Sequence, residues 1–349
     1  MSAPTNPAGA RAMLTAAIVG LGWWGRTILQ SLAGSERIRV VAAVTTSEQG
    51  RAIAHAQGLA ATGDYAEVLR DGGIDAVILC TPNALHLAQT RAAAAAGKHV
   101  FCEKPLALTA ADAAAAVAAC EAACVVLGIG HERRFEPAMM ALLRHVADGT
   151  LGTPLLVEAN FSQDRFRELR PGNWRLSETE APAGPLTATG VHLLDLAIAL
   201  LGPAERVFAG VGRRSGAMPN GDTLAAMIGF RNGAQALIGA SLACPFASRF
   251  AVYGSTGWAE AVELAHPDHP EGARLTLARR GHRPEIVAYK PAPAVRANLE
   301  AFAAAAEGHA RYPIPRGEMI ATVALLEACA ASAAAGTVVA VRGPDHPAS

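Results

Sequence analysis

The chain has 349 residues, with 30 lysines and arginines against 30 aspartates and glutamates, so its formal net charge is zero and nothing draws it electrostatically to nucleic acid or anionic lipid. It is 51% hydrophobic but only 5% aromatic, much of the apolar content being alanine, and no apolar run reaches the roughly 18 residues of a membrane span. The partners expected are small molecules, and the length predicts two domains, each able to bury a core.

Residues 1–13, rich in Ala, Pro, Gly and Asn, read as a loose tail. From Leu14 short apolar runs alternate with helical stretches: strands at 14–19, 40–44, 76–80, 99–102 and 125–129, with helices at 24–32, 49–57, 85–96 and 110–124 between them. Thr109 followed by Asp112 resembles a capping box for the last of these helices. Alternating strands and helices over 14–130 predict a doubly wound parallel sheet covered on both faces. After Gly130 the rhythm changes. Helices near 137–147 and 186–201 flank strand candidates at 155–161, 206–211, 223–230, 234–241, 250–253 and 258–263, with Asn232-Gly233 as a hairpin signal. Two late helices, 294–307 and 318–334, and a strand at 337–341 close the chain. Residues 131–349 should therefore form an α+β domain with a large, mostly antiparallel open sheet, making the whole an α/β protein with a second α+β unit. The six cysteines (80, 102, 120, 124, 244 and 329) follow no paired spacing, which predicts reduced thiols in a cytoplasmic protein rather than disulfides or a metal site.

Gly20-Leu21-Gly22-Trp23-Trp24-Gly25 is a GxGxxG turn after a strand and at the opening of a helix. Gly20 permits the tight turn, Gly22 lets the backbone approach a pyrophosphate, and Gly25 lets helix and strand pack closely. A bound dinucleotide follows, the alternative being a purely structural glycine turn. The second strand ends in Val44-Thr45-Thr46-Ser47-Glu48, with Arg51 one turn on. An NAD site usually places a carboxylate here, whereas Thr45, Thr46 and Ser47 offer hydroxyls, so NADP is the preferred reading and NAD the alternative.

Three further motifs follow in order: Thr81-Pro82-Asn83-Ala84-Leu85-His86 and Glu103-Lys104-Pro105 after strands, and Gly190-Val191-His192-Leu193-Leu194-Asp195 on a helix. With the glycine turn and Asn173-Trp174-Arg175, this ordered set resembles the glucose-fructose oxidoreductase, inositol dehydrogenase and MocA family over nearly the whole chain. The resemblance implies a nicotinamide-dependent dehydrogenase or reductase acting on a secondary alcohol or ketone of a sugar, cyclitol or related, possibly carboxylated, ring diol. It also implies a homodimer or homotetramer assembled through the sheet of the second domain, and catalytic roles for Lys104 and His192. Trp23, Trp24, Thr81, Pro82, Asn83, His86, Glu103, Lys104, Trp174 and Arg175 would lie along the cofactor. His86 is equally suited to capping or packing.

An ammonium beside a forming alkoxide stabilises developing charge, against the alternative that Lys104 merely pairs with Glu103. An imidazole suits proton exchange near neutral pH, though His192 sits among apolar neighbours where a packing role is common. The family usually carries Asp four residues before this histidine, where this chain has Ala188, which puts the usual Asp-Lys-His relay in doubt. Asp195, three residues after His192, can face the same side or be structural. His131, Arg133 and Arg165 are candidates for the substrate. The loop 164–175 carries four arginines that suit an acidic group or simply pair with Asp164 and Glu168. His266-Pro267-Asp268-His269 reads as a surface turn. The competing function is a catalytically silent dinucleotide-binding sensor or regulator of the same fold.

Overall fold

The computed structural model describes residues 13–216 and 218–343; most of the expected N-terminal tail lies outside them. Six strands, β1 (Leu14–Val19), β2 (Ile38–Val44), β3 (Ala60–Thr62), β4 (Ala76–Leu79), β5 (His99–Cys102) and β6 (Leu127–Ile129), alternate with helices α1 (Trp23–Ser31), α2 (Glu48–Ala56), α3 (Tyr65–Arg70), α4 (His86–Ala95) and α5 (Ala110–Ala122). All strand pairs are parallel and the order is β3-β2-β1-β4-β5-β6, the doubly wound arrangement in which ligands bind beyond the carboxyl ends of the strands. Every residue of β4 is buried, as expected of a strand covered on both faces. Thr109 accepts from the Asp112 amide at 3.1 Å and so caps α5, as the sequence pattern implies. The short β3 and α3 fall where the sequence predicts neither: three alanine- and threonine-rich residues at a sheet edge carry too little pattern to register.

The second half comprises α6 (Pro137–Ala147), β7 (Pro154–Ser162), α7 (Val191–Leu201), β8 (Ala204–Gly212), β9 (Thr223–Phe230), β10 (Gln235–Ser241), β11 (Ala247–Gly254), β12 (Gly257–Glu263), β13 (Ala273–Arg279), β14 (Glu285–Tyr289), α8 (Ala294–Ala306), α9 (Arg316–Ala335) and β15 (Val339–Ala340). Its nine-stranded sheet runs β14-β13-β12-β11-β7-β10-β9-β8-β15, antiparallel except where β10 lies parallel to β7. One face packs on α6, α7 and α9 through Val157, Leu193, Leu196, Ile228, Phe250 and Leu325. The other leaves Phe208, Met227 and Leu237 exposed.

Helix α8 returns to the first sheet, where Val295, Leu299, Phe302 and Ala303 complete the core around Ile18, Ile28 and Ile78. Parallel-sheet packing therefore draws on chain well beyond residue 131. Helix α9 is long and apolar enough to cross a membrane by composition, but it is packed against α5, α7 and β8 and buries Met319, Val323, Leu325 and Leu326 in the two cores. The expected helix 186–201 divides in two: a π turn at Leu186–Gly190 precedes α7. Such turns recur at functional sites, and this one places the backbone carbonyls of Thr187 and Ala188 toward the first domain.

Candidate active site

The glycine turn has the geometry its sequence demands. Gly20 has φ of 95°, a left-handed value that favours glycine, and a Cβ on Gly25 would lie 2.1 Å from the Gly20 carbonyl oxygen. A Cβ on Gly22 would meet nothing within 4 Å. Open space there, at the N-cap of α1, fits the approach of a dinucleotide pyrophosphate, since the free amides and the positive end of the helix point at it.

At the end of β2 the three hydroxyls diverge. Thr45 is buried and stands 3.4 Å from the Ser47 hydroxyl, which caps α2 by accepting from Gly50 at 3.0 Å. Thr45 is thus turned inward rather than toward a ribose, which corrects its expected role. Thr46 is exposed, and Arg51 donates to its carbonyl at 3.0 Å.

The motifs after β4 and β5 meet through His86. Its Nδ1 faces the Pro105 carbonyl at 2.8 Å and its Nε2 faces the Thr81 carbonyl at 3.1 Å; a neutral ring donates to one of them. His86 is fully buried, and burial pushes its pKa down. It is a brace between two loops, not a cofactor contact. Pro82 shapes the first loop as N-cap of the short turn Asn83–Leu85, and Asn83 donates to the Glu180 carbonyl at 2.9 Å. The second loop contains a cis Lys104-Pro105 bond.

These loops open on a cleft between the sheets lined by Trp23, Trp24, Thr81, Asn83, Glu103, Lys104, Trp174, Arg175 and His192 among the expected residues. Glu132, Phe161, Gln163, Thr187, Thr189 and His266 join them. Lys104 Nζ donates to the carbonyls of Ala188 at 2.5 Å and Thr187 at 3.5 Å. Burial lowers its pKa, with Glu132 and Glu103 opposing. Glu103 is pushed up to about 7, chiefly by burial, and accepts from the Lys104 amide at 3.2 Å. Arg175 stacks over the Trp174 ring at 4.3 Å, and burial draws its pKa down to about 10.

His192 is buried, and its pKa is held well below the ordinary histidine value by burial first and then by Lys104, His131, Arg133 and His266. Its Nε2 lies 3.8 Å from Glu132 Oε1. Glu132 is pushed up to about 8, burial being the main cause and Glu103 the next. It was invisible to sequence reasoning because a carboxylate between His131 and Arg133 belongs to none of the recognised motifs. The signal that points to it is its position just after the last parallel strand, where ligands bind.

Several expected substrate contacts stand behind the lining. Arg134 forms a bidentate bridge to Asp195, with Nε to Oδ2 at 2.6 Å and Nη2 to Oδ1 at 2.7 Å. Asp195 therefore locks α7 to the turn after β6 rather than orienting His192. His131 sits beside it, Nε2 at 3.6 Å from Asp195 Oδ1, and burial lowers its pKa to about 4. Arg133 is only 1% exposed; it pairs with Glu263 at 2.6 Å and donates to Ser248 at 2.7 Å, lying under the Phe161 ring at 4.4 Å. It supports the aromatic wall and does not reach the cleft. Arg165 pairs with Asp268 and lies over the Trp23 ring at 5.3 Å.

The turn expected at the surface around His266 is instead part of the wall. His266 is 8% exposed, its Nδ1 is 2.7 Å from Asp268 Oδ1, and its ring lies 6.0 Å from Phe161 and 5.9 Å from Trp23. No sequence pattern tied this loop to the glycine turn, because their meeting depends on how the two domains close.

Residues 14–131 match the model for the GFO_IDH_MocA oxidoreductase family with an NAD-binding Rossmann fold, and residues 139–260 match the family's C-terminal domain. A D-xylose 1-dehydrogenase (NADP(+)) from Haloferax volcanii is 30% identical over 90% of this chain and 95% of its own length. A 1,5-anhydro-D-fructose reductase from Ensifer adhaerens is 33% identical over 78% of this chain and 82% of its own. The crystal structure of an aldose-aldose oxidoreductase from Caulobacter crescentus complexed with glycerol superposes with a TM-score of 0.83 at 26% identity, covering 94% of this chain and all of the other. With both halves matched in order and the fold shared end to end, the chain belongs to the GFO/IDH/MocA family of NAD(P)-binding oxidoreductases.

Proposed function

We propose that this enzyme interconverts a secondary alcohol and a ketone, or a hemiacetal and a lactone, on a neutral sugar or cyclitol ring, using NADP in preference to NAD. The observation that carries this reading is the convergence of Lys104, from the parallel sheet, and His192, from α7, on one cleft. A silent sensor of the same fold would need neither. The dinucleotide, when bound, supplies the hydride acceptor or donor. Lys104 holds the reacting oxygen, its fixed charge stabilising negative charge as it develops there. His192, neutral at pH 7 because its pKa is depressed, takes the hydroxyl proton at Nε2 in oxidation and returns it in reduction.

The walls suit such a ring. Trp23, Trp24, Phe161 and Trp174 offer aromatic faces, and Asn83, Gln163, Thr187 and His266 offer hydrogen-bonding groups, the mixture that fixes a small polar ligand in a largely apolar site. Arg167 and Arg170 are exposed and Arg165 is spent on Asp268, so of the four loop arginines only Arg175 lines the cleft. That favours an uncharged substrate over a carboxylated one. The preference for NADP rests on exposed Thr46 and Ser47 at the N-terminus of α2, with Arg51 beside them and no carboxylate before Glu48. The name of the Haloferax relative agrees with it.

The exposed Phe208, Met227 and Leu237, on neighbouring strands of one sheet face, support assembly of a homodimer or homotetramer through that face. The test of function is a panel of D-xylose and other aldoses, myo-inositol and levoglucosan with NADP and NAD, and of 1,5-anhydro-D-fructose with NADPH and NADH. Reduction or oxidation of the nicotinamide with any member supports the reading. Tight dinucleotide binding with no turnover across the panel favours the sensor.

A further inference from the structure

The family resemblance left one vacancy, the carboxylate expected at position 188. The structure fills that position differently: the Ala188 carbonyl takes the Lys104 ammonium, and no carboxylate stands on α7 toward the cleft, since Asp195 is held by Arg134. Two carboxyl groups line the cleft, Glu103 beside Lys104 and Glu132, and of these Glu132 is the one that faces His192. It comes from the short turn after β6 (Glu132–Phe135), a different element from the π turn that carries Ala188.

Resting on the function proposed above, we propose that Glu132 is the relay carboxyl of this site: it exchanges a proton with His192 Nε2 and thereby replaces, from a different element, the acid missing at Ala188. Three observations carry it. Glu132 lines the same cleft as Lys104 and His192. Its Oε1 is 3.8 Å from His192 Nε2, a gap closed by a small rotation of either side chain or by one water. Its Oε2 is buried without a hydrogen-bond partner although the residue is only 4% exposed. A buried carboxyl oxygen without a partner is costly to keep, and a proton-handling role gives it a use.

The step balances simply. In oxidation the substrate O–H and C–H bonds break as its C=O bond forms; the proton passes to His192 Nε2, and the hydride with its two electrons would be taken up by the dinucleotide that the site binds. The imidazolium so formed, destabilised by Lys104, His131, Arg133 and His266, passes that proton to the Glu132 carboxylate and returns to neutral. Reduction runs the same transfers in reverse. The surroundings of Glu132 set the pH at which it works. Glu103 and Lys104 face it from the loop after β5, His192 from α7, and His131, Arg133 and Glu136 from its own segment. Helix α8 packs against the same turn, but Arg296 is turned to the carbonyls of Ser31 and Ala33 and Glu300 to Ser35. Burial and Glu103 outweigh Lys104 and push the Glu132 carboxyl up to about 8, near the operating pH where a proton carrier is most effective. Below that pH the site holds the proton needed for ketone reduction; above it the site is ready to accept one in oxidation.

Two measurements test the relay, the first without any substrate. In full-length protein labelled with isotopic glutamate, the side-chain carboxyl signal that disappears in Glu132→Gln should titrate near pH 8 and move higher still in Lys104→Met. A signal that titrates in the ordinary carboxylate range, or that ignores Lys104→Met, overturns the proposal whether or not the enzyme reading holds. The second uses whichever member of the substrate panel turns over. Glu132→Gln should lower kcat for oxidation by about 10²-fold or more, abolish its rise toward pH 8 and leave dinucleotide affinity unchanged. Glu132→Asp should restore part of the rate and the pH dependence. A Glu132→Gln enzyme with the native pH profile contradicts the relay, while no turnover by native protein alongside the expected titration would count against the proposed function alone.

Discussion

Lys104 donates to the Ala188 carbonyl at 2.5 Å, so the residue at which the family pattern loses its acid still touches the lysine proposed to hold the reacting oxygen, through its backbone. The π turn makes this possible by offering carbonyls toward the cleft. Two backbone carbonyls thus orient the ammonium, and Glu132 and Glu103 are the carboxyls that act on its charge. Lys104→Met should lower turnover by about 10² to 10⁴ with dinucleotide affinity unchanged, measured by steady-state kinetics beside calorimetric titration. Equal rates in variant and native protein would show that the lysine serves only to join the two domains.

The second and third glycines of the turn separate binding from folding. Gly22→Val adds a side chain into open space, so its thermal midpoint should stay near native while dinucleotide binding is lost to obstruction of the pyrophosphate. Gly25→Ala drives a Cβ to 2.1 Å from the Gly20 carbonyl oxygen, so it should lower the thermal midpoint as well. If Gly22→Val binds dinucleotide like native protein, the phosphate path lies elsewhere.

Cofactor preference should reside in the exposed residues at the start of α2. Thr46→Asp places a carboxylate where a 2′-phosphate would sit and should shift the ratio of affinities toward NAD(H); Arg51→Ala should weaken NADP(H) alone. Native protein that binds NADH at least as tightly as NADPH would contradict this reading of the loop.

Much of this architecture was legible in the chain because parallel strands are written as short apolar runs between helices, and the glycine turn, Lys104 and His192 lie within recognisable local patterns. What escaped reading was long-range. Arg133 and Asp195 look like cleft residues in sequence, yet each is claimed by a partner far along the chain or on another element, Glu263 and Arg134 respectively. His266 and Glu132 look incidental, yet the closing of the two sheets brings both to the cleft. Charged residues near a site are assigned by their partners, and spacing along the chain does not encode those partners.

Stability should carry the signature of the buried acids. Burial pushes the Glu103 carboxyl up to about 7, above the ordinary carboxylate range, so the folded state holds a proton that the unfolded chain releases. Its contribution is full below about pH 4.5 and is lost as pH rises toward 7 and beyond. His131, lowered from 6.5 to about 4, acts in the opposite sense, contributing above pH 6.5 and losing its effect as pH falls toward 4. The thermal midpoint of Glu103→Gln should therefore gain on that of native protein between pH 5 and pH 8, as followed by circular dichroism. Parallel curves for the two proteins would show that Glu103 titrates normally.

The most direct test of the central claim is His192→Ala with a panel member that native protein turns over, followed by nicotinamide absorbance. Proton exchange at His192 predicts a loss of about 10² to 10⁴ in kcat, with native dinucleotide affinity and native fold by circular dichroism. A His192→Ala enzyme that turns over at the native rate would make His192 a packing residue and contradict the account.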